Sequence, residues 1–439
     1  MAEIRPFRGV RYNQNKIKDL AKVLCPPYDI ISPGLQDELY HTNEFNFVRI
    51  EYNRELPQDS PQDNRYTRAL ANLTGWLEKG ILETEAAPAL YLHLHHFTCQ
   101  GQSYQRQNIL AGVKLEEWDT RIVRPHENII PKAKSDRLSM LYTCQANTSP
   151  VLAMYEDLQK VIKVTLEEQE KKTPVIDFID TWGERHQVWA VTQPEVVKVI
   201  QGEIAKQPLY IADGHHRYDS ALTYKRERAA QTAGYTGNED FNFVMTSLID
   251  FADPGLVILP THRLVRGVSK TIMAGLPSQL AAFFEIEKIS LNDPIAWQKV
   301  DARLTGMTPE MQKVSLAVYG LDGDKILILT LRDQKTADQL MPAFHGEVYR
   351  KLDVSLVDHV ILENLLALNK DKEEIILAYN HDRKDCISRV KDGEYQMIFI
   401  LNPVEPQVIR AIADAGDRMP RKSTYFFPKS PAGLVVYKL

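Results

Sequence analysis

Residues 208–222 read "PLYIADGHHRYDSAL". An apolar run ends at an Asp-Gly pair, and a helix-like stretch follows to about residue 231. The pattern is a strand, a tight turn and a helix. The turn gathers Asp213, His215, His216 and Arg217 around Gly214. Backbone N–H groups at a helix N-terminus, with the helix dipole, attract anions. Gly214 lets the backbone approach a ligand closely. Arg217 can fork onto phosphate oxygens. His215 and His216 can donate to phosphate and change charge near neutral pH. Asp213 can hold Mg²⁺ or orient a histidine. The combination reads as a phosphate cradle. The plainer alternative is a capped helix with surface histidines. A zinc site is a third reading, for which no Cys or spaced His partner is evident.

Outward from the turn, strands and helices mix along the 439 residues. Ser32 and Pro33 mark a helix start, and a helix is expected at 63–80. "PALYLHLHHFTCQGQSYQRQNILAGVKLEE" reads as a β-hairpin around Gln100-Gly101. Residues 121–137 read as a loop. Strands at "SPVLAMYED" and "HQVWAVTQ" alternate with helices at 156–170 and 193–206. "FNFVMTSLID" and "GLVILPTHRLV" read as buried strands. The pattern restarts near 268: helix 268–284, the hairpin "VSLAVYGLDGDKILILTLR", helix 355–367, a strand–helix–strand, and a helix at 404–416. The fold class is α+β. The expected division is residues 1–267, with an N-terminal elaboration over 1–85, and a C-terminal domain over 268–439.

Composition narrows the function classes. A net charge of −5 and a pI near 6.2 give no basic stripe for nucleic acid. No apolar stretch has the length of a membrane span or signal peptide. The four cysteines, Cys25, Cys99, Cys144 and Cys386, form no CxxC pair, so a disulfide framework is not expected. These features fit a cytoplasmic protein with reduced thiols that binds small molecules, not nucleic acid or membrane.

Two further segments carry chemistry. "RIVRPHENIIPKAKSDRL" concentrates Arg124, His126, Glu127, Lys132, Lys134, Asp136 and Arg137. It is either a solvated loop or a set of phosphate-binding cations around a general base, Glu127. "RMPRKSTYFFPK" offers Lys422, Ser423 and Thr424 for a carboxylate or phosphate; its aromatics also suit a core. "HLHHF" puts His93 and His95 on one strand face, the spacing of some metal sites. The plainer reading is a half-exposed sheet face. Asp29 in "PPYD" lines a site or caps a turn.

Taken in order, "PFRGVRYN", "CPPYDIISP", "NFVRI", "RPHENIIPKAKSDRL", "ADGHHRYDSAL", "DPGLVILPTHRLV" and "KSTYFFPK" resemble a large bacterial family catalogued as a domain of unknown function. A more distant resemblance is to the free serine kinases of the ParB/sulfiredoxin superfamily. Those carry a PHE motif, a DGHHR motif and a C-terminal basic-hydroxyl cluster. Here Pro125-His126-Glu127, Asp213 to Arg217 and Lys422-Ser423-Thr424 follow in that order. The resemblance implies a ParB/sulfiredoxin-like catalytic core and a second α/β domain.

It also implies a kinase that converts free L-serine to O-phospho-L-serine, with Mg²⁺ and ATP, ADP or pyrophosphate as donor. Glu127 is then the catalytic base. Asp213 is catalytic and the metal ligand, and Gly214, His215, His216 and Arg217 hold donor phosphates, aided by His126, Lys132 and Arg137. Lys422 and Thr424 hold the serine. This chain departs from the pattern in two places. Residues 128–212 are a longer separation than in the small kinases, and Phe426 stands where an archaeal kinase has histidine. Sulfiredoxin chemistry needs a cysteine where His215 stands. The alternatives are a non-catalytic nucleotide-binding regulator and a nucleotide hydrolase or nuclease.

Overall fold

Local signals set most elements of the structure, a computed structural model. It describes residues 1–128, 131–305, 314–368 and 376–439; the side chains of 131–133 lie outside the described residues. The architecture is mixed α+β. The chain forms two compact units, one of Met1–Pro125, Ile129–Val257 and Pro428–Leu439, the other of His126–Asn128 and Ile258–Phe427. No helix among the described residues is long and apolar enough to cross a membrane. All four cysteines are buried.

The first unit is built on a nine-stranded mixed sheet. Its order is Val123–Arg124, Leu209–Asp213, Val151–Tyr155, Phe243–Asp250, Gln102–Lys114, Leu90–Cys99, Arg185–Val191, Ile176–Ile179, with Ile4–Arg5 pairing Gln102–Lys114. The long hairpin closes through Gln100 and Gly101, both left-handed at φ 51° and 81°, the backbone that a right-twisted two-residue hairpin needs. Alternation along Leu90–Cys99 sends Leu90, Leu92 and Leu94 into a core with Ile162, Leu166, Val197, Ile200 and Ile204. The opposite face carries Tyr91, His93, His95 and Phe97. The expectation of a half-exposed face here is wrong: His93 is 1% and His95 0% exposed.

The strand Leu209–Asp213 lies between Val151–Tyr155 and Val123–Arg124. After it, the helix His215–Gln231 buries Tyr218, Ala221, Leu222 and Tyr224 against Leu115, Val123, Leu141, Val151 and Val244. Part of the segment expected as loop is helical, from Pro131 to Cys144. Its charged side chains obscured the period: Arg137 pairs with buried Glu51, and Leu141 packs under the turn helix. Ser32 caps its helix as expected, and the helix expected at 63–80 runs Arg65–Glu78, with the Asn64 side chain accepting from the N–H groups of Tyr66 and Thr67. Phe7, Val10, Tyr12, Phe47, Trp76 and Tyr437 belong to a second core of this unit.

The second unit holds a six-stranded antiparallel sheet, ordered Phe284–Ser290, Lys325–Leu331, Ser315–Asp322, Met397–Ile400, His262–Val265, Leu377–Asn380. "GLVILPTHRLV" is not one strand; it breaks at Pro260 and Thr261 into Val257–Leu259 and His262–Val265. Leu356–Leu365 is helical but wound more widely than an α-helix, as in the Leu366 N–H bond to the carbonyl of Ile361. The strand Phe284–Ser290 and the helix Ala296–Thr305 are additions to the expected elements.

Candidate functional site

In the first unit the turn is organised by Asp213. One carboxylate oxygen takes a charge-assisted bond from Lys429 at 2.5 Å, and the other takes one from Arg217 at 2.7 Å. Burial alone would raise the Asp213 carboxyl; Lys429 and Arg217 outweigh it and hold the carboxyl far below the usual range. Arg217 also donates to the carbonyl of Pro150. Its Nε is buried with no hydrogen-bond partner among the described residues.

Gly214 sits at φ 83°, and a Cβ there would meet the Arg217 Nε at 2.9 Å. Glycine therefore serves both the left-handed turn and the close seat of the guanidinium. His215 opens the helix and is 7% exposed.

A second ionic cluster in this unit centres on Glu51, which is fully buried. It accepts from Thr148 Oγ1, from Ser149 Oγ at 3.0 Å and from the Tyr28 N–H at 3.3 Å. Arg137 lies 3.5 Å from the Glu51 carboxylate and 2.5 Å from Asp136, and its guanidinium covers the Tyr28 ring at 3.8 Å. Burial would lower the Arg137 pKa, yet Glu51 and Asp136 raise it, so it stays charged. Arg137, Thr148, Ser149, Arg217 and Ala221 line one cavity. The cavity links the two clusters.

In the second unit Glu127 meets the C-terminal segment. Its Oε1 accepts from the N–H groups of Ser423 at 3.0 Å and Thr424 at 3.1 Å, and from Thr424 Oγ1 at 3.0 Å. His126 Nε2 lies 3.1 Å from Thr424 Oγ1, and the His126 carbonyl accepts from Met419 N–H at 2.7 Å. Lys422 adopts φ 57°, and its carbonyl accepts from fully buried Arg263 at 3.0 Å. Arg263 also donates to the carbonyls of Thr261 and Arg421 and pairs with Asp358 at 3.3 Å. The guanidinium thus fixes the turn that presents Lys422 to Thr424.

Within each unit, then, several expected residues come together: Asp213, Gly214 and Arg217 in one, His126, Glu127 and Thr424 in the other. His126, expected beside donor phosphates, is packed against Thr424 and Phe426. Arg137 is engaged by Glu51 and Asp136. The Lys132 side chain lies outside the described residues. Asp213 does not fit a protein-held Mg²⁺: its two oxygens each hold a cationic side chain, and it contributes one carboxylate where such a site wants several oxygens. Sequence reasoning missed Lys429, Glu51 and Arg263. Arg263, a charge within an apolar strand, was the one with a local signal.

A family model matches residues 4–355, under the description "Protein of unknown function (DUF1015)". The chain belongs to that family. No curated protein sequence matches it. Among solved structures, this DUF1015 member is similar to a conserved hypothetical protein from Pyrococcus furiosus, at 13% identity and TM-score 0.35, covering 73% of this chain and 93% of that one. It is also similar to a free serine kinase in complex with AMP, at 15% identity and TM-score 0.35, covering 74% and 92%. A third is SbnI with C-terminal truncation from Staphylococcus aureus, at 12% identity and TM-score 0.36, covering 75% and 87%.

Proposed function

We propose that this protein is a kinase that phosphorylates the hydroxyl of free L-serine, with a ParB/sulfiredoxin-like core around the Asp213 turn. The observation that carries the reading is the convergence of Arg217 and Lys429 on Asp213 at a glycine-led helix start. Two half-buried cations fixed on one carboxylate, with the Arg217 Nε–H unsatisfied, form a preorganised receptor for anionic oxygens. The order of the three sequence motifs supplies the choice of serine.

Phosphoryl transfer asks the protein for alignment and charge neutralisation. The Asp213–Arg217 turn and Lys429 would bind and orient the donor phosphates, and His215 and His216 would donate to them. Asp213 holds Arg217 and Lys429 in place. Mg²⁺ would arrive on the donor as part of the substrate. Glu127 would accept the proton of the serine hydroxyl as its oxygen bonds the donor's terminal phosphorus and the P–O bond to the rest of the donor breaks, releasing ADP, AMP or phosphate according to the donor, and Lys422 and Thr424 would hold the amino acid. The test is a panel of ATP, ADP and pyrophosphate with L-serine and Mg²⁺, followed by phosphorus NMR. Phosphoserine from at least one donor is expected. Donor hydrolysis without phosphoserine would replace this reading with a hydrolase, and donor binding without turnover would replace it with a regulator.

A further inference from the structure

The first unit's sheet carries a second cluster that the kinase reading does not use. Alternation puts His93 and His95 on one face of Leu90–Cys99, and the register sets His186 directly opposite His95 on the neighbouring strand. His93 Nε2 and His186 Nδ1 are 3.0 Å apart, and the His95 and His186 rings stack at 4.1 Å. All three residues are at most 1% exposed. The turn that leads into this strand adds two carboxylates: Glu184 lies 2.7 Å from His95 Nε2, and Asp180 lies 3.5 Å from His186 Nε2.

We propose that His93, His95 and His186 bind one divalent cation of the zinc class, completed by a carboxylate oxygen from the Asp180–Glu184 turn. Each ring offers a nitrogen, and the three lie within 4.8 Å of one another; Asp180, Glu184 and His186 meet the same condition. Tetrahedral zinc, with metal–nitrogen bonds of about 2.0–2.1 Å, places ligand nitrogens about 3.3 Å apart. Small ring rotations bring this set there. Rings sealed from water favour the neutral form, which is the ligating form. Imidazole-rich sets select zinc-like ions, whereas magnesium and calcium want oxygens.

An independent observation points the same way. Asn108 stands opposite His93 on the same face, fully buried, and neither its Oδ1 nor its Nδ2 has a hydrogen-bond partner among the described residues. A metal-bound imidazole almost always donates its other N–H to an acceptor, and the register puts the unsatisfied Asn108 amide on the neighbouring strand directly opposite His93. Arg106 opposes a cation, because its Nη2 lies 3.2 Å from His95 Nδ1. Its charge interacts with Glu184 and Asp253, and Glu184 with Asp180. These three carboxylates together balance the guanidinium and one divalent ion.

The test uses the full chain, stripped with a chelator and then titrated with Co²⁺ and with Zn²⁺. The expected result is one tightly held Zn²⁺ per chain by metal analysis, visible ligand-field bands of low-symmetry Co²⁺ that Zn²⁺ abolishes, and a higher unfolding temperature with Zn²⁺. His186→Gln and Glu184→Gln should each weaken binding; the second keeps all three rings and nearly the same volume. Wild-type protein that retains no Zn²⁺, or equal Zn²⁺ affinity in wild type and both variants, overturns the site. Kinase turnover is not a readout of this experiment.

Discussion

Arg217 and Lys429 share one carboxylate, so each can be tested by what remains. Arg217→Ala leaves Asp213 paired with Lys429 alone and removes a directional, charge-assisted fork. Donor affinity should fall by about tenfold or more, the scale of one charged hydrogen bond, while serine affinity changes little. Separate titrations of the two ligands check this; an unchanged donor affinity removes Arg217 from the cradle. Glu127 has a structural duty besides its proposed role as base, because one oxygen accepts three hydrogen bonds from residues 423 and 424. Glu127→Gln keeps an acceptor oxygen and removes the proton acceptor. It should melt close to wild type yet lose roughly 10²–10⁴-fold in kcat. Wild-type turnover of serine in that variant would end the assignment.

At the scale of the element, the strand–turn–helix depends on Gly214. A side chain at φ 83° costs about 1–2 kcal/mol, and a Cβ would also press on the Arg217 guanidinium at 2.9–3.1 Å. Gly214→Ala should therefore lower both the unfolding temperature and donor affinity. Gly101→Ala, also at positive φ but with open space around it, is the control: stability falls and donor affinity holds. Equal donor affinity in Gly214→Ala and wild type would show that the turn's seat for Arg217 is not used in binding.

Across the whole molecule, buried carboxylates set the pH dependence of stability. Burial pushes Asp253 up to about 6, against hydrogen bonds from the Gly255 and Gln107 N–H groups that lower it. The folded state then holds a proton that the unfolded state, titrating near 3.8, has released. This contribution is full below pH 4 and is lost as pH rises through 6, a change on the order of 3 kcal/mol. Asp253→Asn lacks that titration. Its stability relative to wild type should rise between pH 4 and 7 and then level off. Urea unfolding at several pH values measures it, and a constant difference would rule the effect out.

The sequence by itself determined what neighbours along the chain decide. Ser32 and Asn64 cap helices, Gln100-Gly101 closes a hairpin, and Asp213-Gly214 turns a strand into a helix, because these depend on backbone preferences over about four residues. The Asp213–Arg217 cluster was legible for the same reason. The helix at 131–144 was not, because buried Arg137 and half-exposed Lys134 satisfy Glu51 and Asp219 instead of repeating an apolar stripe. Tertiary structure alone decided that Lys429 reaches Asp213 across 216 residues and that Thr424 reaches Glu127 across 297. It also decided that His93 and His95 face the interior and meet His186. A period of two assigns residues to a face, but strand register and what packs over that face determine whether the face is wet or sealed.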